Sequence, residues 1–294
     1  MFVQTNSIKA IRSYFKERLS HQFSENEIKL IGNDVICSRL NFSYSDLINA
    51  NDQLLSESDL LFFRSVVKRL LNNEPFQYVI GNAHFYGLVL KSDERALIPR
   101  PETEELVDWI KDSFSMDKHL NLVDICSGSG CIALALKSVF KDSLIVATDY
   151  SSSALDLAEE NSTDLNLEIK IIEFDARVEE EFQVLELEDG EKYDCWVSNP
   201  PYIPAKESSL MFENVLKYEP HMALFVPDND PLLFYRVISK SANQYLKKSG
   251  LLFFEIHEDL ANEVVELLES LDYINIEVKK DLQGKSRIVK ALKL

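Results

Sequence analysis

The chain has 294 residues, with 31 Lys and Arg against 49 Asp and Glu, which gives a formal net charge of −18. A hydrophobic fraction of 46% is typical of a packed globular protein and excludes a disordered chain. The excess of acids disfavours direct binding to nucleic acid, because phosphates are held by clustered Lys and Arg.

Features of export, membrane insertion and metal binding are missing from the sequence. Polar residues interrupt the N-terminal segment every few positions, which predicts no secretory leader. The longest apolar runs, such as residues 251–254, are too short to span a bilayer. The four cysteines form no CxxC pair, which favours free thiols over disulfides or a zinc site. We therefore expect a cytoplasmic protein without a metal, and we expect it to be a monomer.

The first 80 residues have a helical pattern. Ser24, with Glu27 three residues later, predicts a capped helix start. Residues 72–75, Asn-Asn-Glu-Pro, predict the end of the last helix. Apolar residues recur at steps of three and four, first at Ile8, Ile11, Phe15 and Leu19. The sequence therefore predicts a small helical domain at residues 1–80.

A β-hairpin is predicted next. Residues 85–89 and 95–98 have strand-like composition and flank the polar residues 91–94. They predict a hairpin linker over residues 81–98. Pro101, followed by acidic residues, predicts the first helix of a third region, residues 99–294.

Apolar strands alternate with helices along this third region. Alternation of this kind predicts parallel strands joined by crossover helices, that is, an α/β sheet covered on both faces. Residues 273–278 and 287–292 have no helix between them, and we expect an antiparallel hairpin at the sheet edge with Gly284 in its loop. The acid-rich residues 178–192 predict a solvated loop or a short helix. The strands are predicted at 120–125, 144–148, 169–173, 193–198 and 251–256, and the helices at 132–140, 153–161, 231–246 and 260–271.

A glycine-rich turn follows the first of these strands and opens a helix. Its glycines let the backbone approach a ligand, and the helix N-terminus supplies free N–H groups. Asp149 ends the next strand, where a carboxylate can accept hydrogen bonds from ribose hydroxyls. Two cofactors are compatible with this turn, S-adenosylmethionine and a dinucleotide. A dinucleotide is compatible because its fingerprint accepts alanine at the third glycine position, where this sequence has Ala133. The turn reads Asp124, Ile125, Cys126, Ser127, Gly128, Ser129, Gly130.

A second motif, Asn199-Pro200-Pro201-Tyr202, follows the strand at 193–198. Two prolines fix φ and remove two N–H donors, so the turn is stiff and its carbonyls, notably that of Pro200, are free to accept. Together with the Asn199 side-chain oxygen, these carbonyls can accept both hydrogens of a planar NH₂ group. The Tyr202 ring can stack against the group that carries this NH₂. Because parallel strands end at one sheet edge, we expect this turn beside the glycine turn.

These motifs resemble the HemK/PrmC family of protein-(glutamine-N5) methyltransferases, which act on peptide chain release factors. The resemblance implies a small helical bundle for substrate recognition, a hairpin linker and a class I S-adenosylmethionine-dependent methyltransferase domain of Rossmann-like fold. It implies transfer of a methyl group from S-adenosylmethionine to the glutamine of the release factor GGQ motif, with S-adenosylhomocysteine as product. It covers nearly the whole chain, through residues 75–81, 85–87, 97–104, 124–130, 199–204, 218–220, 223–224, 250, 255–256, 281–282, 284 and 287–289.

The same resemblance assigns roles to residues. Two positions depart from the family pattern: Cys126 stands where the first glycine is usual, and Ala176 where some members have an aromatic residue near the adenine. The substrate amide is assigned to Asn199, Pro200, Pro201 and Tyr202, with Asn199, Pro200 and Tyr202 as catalytic residues. The cofactor is assigned to Cys126, Ser127, Gly128, Ser129, Gly130, Asp149, Ala176 and Asn199.

Three other functions fit parts of the pattern. An adenine-N6 nucleic-acid methyltransferase uses a similar turn on a flipped base, but the charge of −18 disfavours it. A ribosomal-protein glutamine methyltransferase is not distinguished by the turn. A non-catalytic module would not need Asn199 and Tyr202. Two roles are possible for Arg100: it could line the cofactor pocket, or it could cap the acidic residues Glu102 and Glu104. We expect Glu219 to have a structural role in a turn.

Overall fold

The computed structural model describes residues 5–116 and 118–294. One compact unit extends to Gly81 and includes Glu213–Tyr218, and the other comprises Asn82–Phe212 and Glu219–Leu294. The sequence-based division into domains at residues 1–80, 81–98 and 99–294 stays a prediction. Within the described ranges, no helix combines the length and the apolar character needed to cross a bilayer.

The elements are numbered in chain order. The helices are α1 (Ile8–Leu19), α2 (Glu25–Leu40), α3 (Tyr44–Asn49), α4 (Glu57–Leu71), α5 (Phe76–Ile80), α6 (Pro101–Ser113), α7 (Cys131–Val139), α8 (Ser152–Leu165), α9 (Glu213–Tyr218), α10 (Leu233–Tyr245) and α11 (Ala261–Ser270). The strands are β1 (Asn82–Phe85), β2 (Leu88–Lys91), β3 (Asn121–Ile125), β4 (Leu144–Asp149), β5 (Lys170–Glu173), β6 (Tyr193–Ser198), β7 (Ile203–Pro204), β8 (Phe225–Val226), β9 (Leu246–Glu255), β10 (Tyr273–Lys280) and β11 (Ser286–Lys293).

The first unit is a bundle of α1 to α5 with α9. Three of its helix starts are fixed by side chains, because a serine accepts a backbone N–H while an acid three residues later accepts the serine's own N–H. This arrangement confirms the start predicted at Ser24 and recurs at Ser43 and Ser56. In the core, the Phe15 ring packs edge-on against Phe63, with ring centroids 6.0 Å apart.

The hairpin of β1 and β2 differs from the prediction. The two strands pair antiparallel with Phe85 opposite Leu88, so the turn is Tyr86-Gly87. Both turn residues have positive φ, 50° and 77°, as a two-residue turn of type I′ requires. The second predicted strand, residues 95–98, is not a strand. The prediction was wrong because tyrosine is unusual at the first position of such a turn, where Asn or Asp normally reveals it.

A seven-stranded sheet forms the centre of the second unit, in the order β10-β11-β9-β6-β3-β4-β5. Strands β9, β6, β3, β4 and β5 are parallel, and β11 is antiparallel to both of its neighbours. This confirms the predicted α/β sheet and its antiparallel hairpin at the edge. The strand order reverses at β3, the first strand of the parallel set, and an open α/β sheet binds ligands at such a point.

Alternate residues of the central strands build two cores. Val123 and Trp196 face a cluster that includes residues of α10 and α11, while Leu122 and Val197 face a cluster that includes residues of α6 and α7. The acid-rich stretch forms short 3₁₀ helices, Glu179–Leu185 and Glu188–Gly190. It is not fully solvated, because the Phe182 ring stacks on Trp196 with centroids 5.7 Å apart.

Candidate active site

A cavity of about 210 Å³ lies at the carboxyl ends of β3, β4 and β6. It brings together the glycine turn, Asp149 and the diproline turn, which the sequence predicted to meet at one sheet edge. Among the described residues, Gly130, Pro200 and Tyr202 do not line it. The predicted site residues that line it are Cys126, Ser127, Gly128, Ser129, Asp149, Ala176, Asn199 and Pro201.

The glycine turn depends on left-handed backbone at Cys126, Gly128 and Gly130, whose φ values are 62°, 55° and 79°. A Cβ at Gly130 would lie 3.1 Å from the Cβ of Ala158, so space as well as φ favours glycine there. Cys126 has no such freedom, and a left-handed L-residue costs roughly 1–2 kcal/mol. The departure from the family glycine is therefore accommodated with strain.

Asp124 ties this turn to the start of α7. Its Oδ2 accepts a hydrogen bond from Ser127 Oγ at 2.5 Å and from the Ala133 N–H at 3.2 Å. The side chain is fully buried, and desolvation raises its pKa from 3.8 to about 7. Because both bonds stay within the turn and its helix, the role of Asp124 in the structure is to shape the site.

Asp149 is held by the backbone of both flanking segments. Its Oδ2 accepts from the Gly128 N–H and its Oδ1 from the Ser151 N–H, each at 2.9 Å. Burial raises its pKa above the usual value. A carboxylate has about four acceptor positions. The Gly128 and Ser151 N–H groups use two of them and the Tyr150 N–H also acts on the carboxylate, so part of its acceptor capacity remains for hydroxyl groups in the cavity.

Much of the cavity lining is apolar, although the charged residues Asp175 and Arg177 also line it. Ala176, at the position where some family members have an aromatic residue, is buried in this lining, and Phe174 lies two residues before it. Met222, Phe225 and Phe234 also line the cavity. Sequence reasoning missed these three, because they lie outside the two motifs. A carboxylate and apolar side chains that line one cavity match the ribose and base of an adenosyl group, so the residues present fit S-adenosylmethionine.

The side chain of Asn199 is held by a series of hydrogen bonds with buried residues that lie outside the diproline turn. Its Nδ2 donates to Thr103 Oγ1 at 3.4 Å, and the Thr103 hydroxyl donates to Glu255 Oε2 at 2.7 Å. Tyr202 donates its hydroxyl to Glu255 Oε1 at 3.1 Å. Burial and the Glu255 carboxylate raise the pKa of Tyr202 far above its usual value. The Tyr202 ring thus packs beside the site with its hydroxyl anchored inward.

Curated relatives match this chain almost from end to end. Release factor glutamine methyltransferases from Flavobacterium psychrophilum and Bacteroides thetaiotaomicron are 39% and 36% identical, and each match covers 96% of this chain and 98% of the relative. The enzyme of that name from Streptococcus pneumoniae is 41% identical, over 94% of this chain and 95% of its own. The chain belongs to the release factor glutamine methyltransferase family. This confirms the predicted family and S-adenosylmethionine as the methyl donor.

Family models agree with this assignment: the PrmC N-terminal domain matches residues 11–81, and the methyltransferase small domain matches residues 103–219. Two solved structures share the fold of this family member. The human methyltransferase 10 domain containing protein is 18% identical with a TM-score of 0.50, over 71% of this chain and 90% of its own. The delta-N METTL16 MTase domain is 19% identical with a TM-score of 0.51, over 71% and 89%. At these identities the likeness concerns the class I methyltransferase fold alone.

The structure decides between the two roles left open for Arg100 in this glutamine methyltransferase family member. Arg100 lines the cavity, and its Nη2 donates to Glu219 Oε1 at 2.6 Å. Glu219 Oε2 accepts from the Ile98 N–H at 3.1 Å. The Glu219 side chain is 1% exposed, so it is a buried support for the cavity wall.

Sequence reasoning also missed Thr103 and Glu255. Glu255 did carry a signal, since it is an acid at the end of the apolar run 251–254, on a strand of the predicted sheet. An acid at the carboxyl end of a buried strand lies at the ligand-binding edge. Thr103 lies in the stretch 97–104 that carries the family resemblance, but nothing in that stretch indicated a role for its side chain.

Proposed function

We propose that this chain transfers a methyl group from S-adenosylmethionine to the side-chain amide nitrogen of a glutamine in peptide chain release factors. The observation that carries the proposal is the position of Asn199, which lines the same cavity as the glycine turn and Asp149. Relatives of nearly equal length that bear the name release factor glutamine methyltransferase support the substrate class. The proposal places the protein in the cytoplasm, as a monomer that does not bind nucleic acid directly.

The cofactor is assigned to the cavity by its lining. Asp149 would accept hydrogen bonds from the ribose hydroxyls of S-adenosylmethionine, and Ala176 would face its adenine. The turn from Cys126 to Gly130 would contact the remainder of the cofactor. When bound, S-adenosylmethionine supplies an electrophilic methyl group on a sulfonium.

Asn199 and Pro200 would bind the substrate amide. An amide nitrogen is a poor nucleophile, because its lone pair is delocalised into the carbonyl. Asn199 Oδ1 and the Pro200 carbonyl would accept its two N–H groups, which would orient the nitrogen and stabilise positive charge as it develops. As the N–C bond forms, the bond between sulfur and the methyl group breaks to leave S-adenosylhomocysteine, and the nitrogen then loses one of its two protons to solvent. The stiff Pro200-Pro201 turn fixes the two acceptors relative to each other, and Tyr202 completes the substrate side. Correct placement supplies the rest of the acceleration.

Substitution of Asn199 tests the chemistry. In Asn199→Ala and Asn199→Asp we expect kcat toward a release factor to fall on the order of 100-fold or more. The dissociation constant of S-adenosylmethionine, measured by calorimetry, should change by less than about threefold if Asn199 acts mainly on the amide. Asn262→Ala, at an exposed position on α11, is the matched control and should retain full activity. Near-normal turnover of Asn199→Ala would contradict this role.

The substrate class is tested by offering a release factor, ribosomal proteins and DNA side by side with a radiolabelled methyl donor. We expect label in the release factor, on its GGQ glutamine, and we assign substrate recognition to the helical residues 1–80. Label in a ribosomal protein alone would favour the sister activity on that substrate. Label in DNA alone would favour the adenine-N6 activity.

A further inference from the structure

Glu255 lies beside the diproline turn because of strand register. In the parallel pair of β6 and β9, Ser198 is opposite Phe254. Asn199 and Glu255 each come one residue later, so both lie at the same edge of the sheet. The carboxylate is 2% exposed and receives two hydroxyl hydrogen bonds, from Thr103 and Tyr202. Thr103 is 1% exposed.

Asn199, Thr103 and Glu255 form a series of two hydrogen bonds, and the Glu255 carboxylate determines which group donates in each of them. Burial raises the pKa of Glu255, while the Thr103 and Tyr202 hydroxyls and the charge of Arg287 favour its ionised form. When Glu255 is ionised it only accepts, so the Thr103 hydroxyl donates its single proton to Glu255. The hydroxyl then has only lone pairs left for Asn199, and a lone pair can face the Asn199 NH₂ group but not its oxygen. The carboxylate therefore fixes which way the Asn199 amide points, with Nδ2 toward Thr103 and Oδ1 away from it.

We infer that Thr103 and Glu255 are positioning residues that set the amide orientation of Asn199, so that its oxygen is presented to the substrate NH₂ group. This inference rests on the proposed function, because it gives Asn199 Oδ1 the role of acceptor. The orientation matters there: a flipped Asn199 would present NH₂ to NH₂, and two donors cannot bond to each other. Tyr202 is anchored by the same carboxylate, so one buried group holds both side chains of the turn.

Paired substitutions at Thr103 separate positioning from packing. Thr103→Val keeps the side-chain shape and removes the hydroxyl, while Thr103→Ser keeps the hydroxyl and is the matched control. We expect kcat to fall at least about tenfold in Thr103→Val and less than about threefold in Thr103→Ser. The KM for release factor and the dissociation constant of S-adenosylmethionine should change little in either variant. Equal kcat values for the valine and serine variants would overturn the inference.

Two further variants guard against a loss of folding at Thr103. Glu255→Gln introduces an NH₂ donor, so the direction of the hydrogen bonds from Asn199 through Thr103 to residue 255 is no longer fixed. We therefore expect kcat to fall by roughly three- to tenfold. In an Asn199→Ala background, Thr103→Val should cause no further loss, because a residue that acts through Asn199 has nothing left to orient. A full additional loss in that background, or a wild-type kcat in Glu255→Gln, would overturn the inference.

A readout without catalysis separates this inference from the proposed function. In protein with ¹⁵N-labelled asparagine, the Asn199 side-chain NH₂ signals are identified by their loss in Asn199→Ala. We expect these signals to shift and to exchange faster with solvent in Thr103→Val than in Thr103→Ser. Unchanged signals in Thr103→Val would overturn the positioning role. Failure of the wild-type enzyme to methylate a release factor would instead contradict the proposed function.

Discussion

Replacing Gly130 by alanine tests the geometry of the glycine turn. The new Cβ would lie 3.1 Å from the Cβ of Ala158 and 3.4 Å from Leu134 Cδ1, at a φ of +79°. The left-handed backbone costs roughly 1–2 kcal/mol, and crowding against α8 adds about 1–3 kcal/mol. Gly284→Ala is the matched control, because its φ is +84° and nothing lies within 4 Å of its Cβ. Any change in the unfolded chain is common to both variants, so their difference measures the crowding.

Urea unfolding followed by tryptophan fluorescence provides the assay. Both tryptophans, Trp109 and Trp196, lie in the second unit, so the signal does not depend on the helical bundle. We expect Gly130→Ala to lose about 1–3 kcal/mol more than Gly284→Ala, and to bind S-adenosylmethionine more weakly. Ala158→Gly should be less destabilising in the Gly130→Ala background than in the wild-type protein. Equal losses for the two glycine variants would refute the reasoning.

Two other predictions concern the same turn. The raised pKa of Asp124 means that its neutral form favours the folded state, a contribution present below pH 4 and lost as pH rises through about 7. Relative to Asp124→Asn, the free energy of unfolding of the wild-type protein should therefore fall by roughly 1–2 kcal/mol between pH 5.5 and 7; parallel curves in urea titrations would contradict this. At Cys126, where φ is 62°, glycine should leave stability within about 1 kcal/mol of wild type, because relief of strain offsets lost burial and greater chain entropy. Cys126→Val should be destabilised by more than that, since a β-branched residue tolerates positive φ poorly, and equal unfolding midpoints for the two variants would disprove the strain.

The sheet and its helices were predictable because their signals are local. A buried strand such as β4 contains a short apolar run, residues 144–147, and a helix such as α1 repeats its apolar residues at steps of three and four. The hairpin shows the limit of local signals. Its turn uses Tyr86 at a φ of 50°, a conformation that composition alone gives no reason to expect.

The motifs of the site were predictable for a related reason. The glycine turn and the diproline turn are each contiguous, and parallel strands bring their following loops to one edge, so Gly128, Asp149 and Asn199 were expected to meet. Whether each predicted residue contacts cofactor or substrate stays a prediction, because position along the chain does not give the distance to a ligand.

The amino-acid sequence by itself determined the family, the α/β architecture and the two motifs, because each is written in neighbouring residues or in a short repeat. Only the tertiary structure decided which side chains support those motifs. Thr103 and Glu255 are 152 residues apart, and Arg100 and Glu219 are 119 residues apart. Such pairs form because the strands and connections of the second unit converge at one edge of the sheet. Hydrogen bonds between distant residues depend on that convergence and leave no periodic trace in the chain.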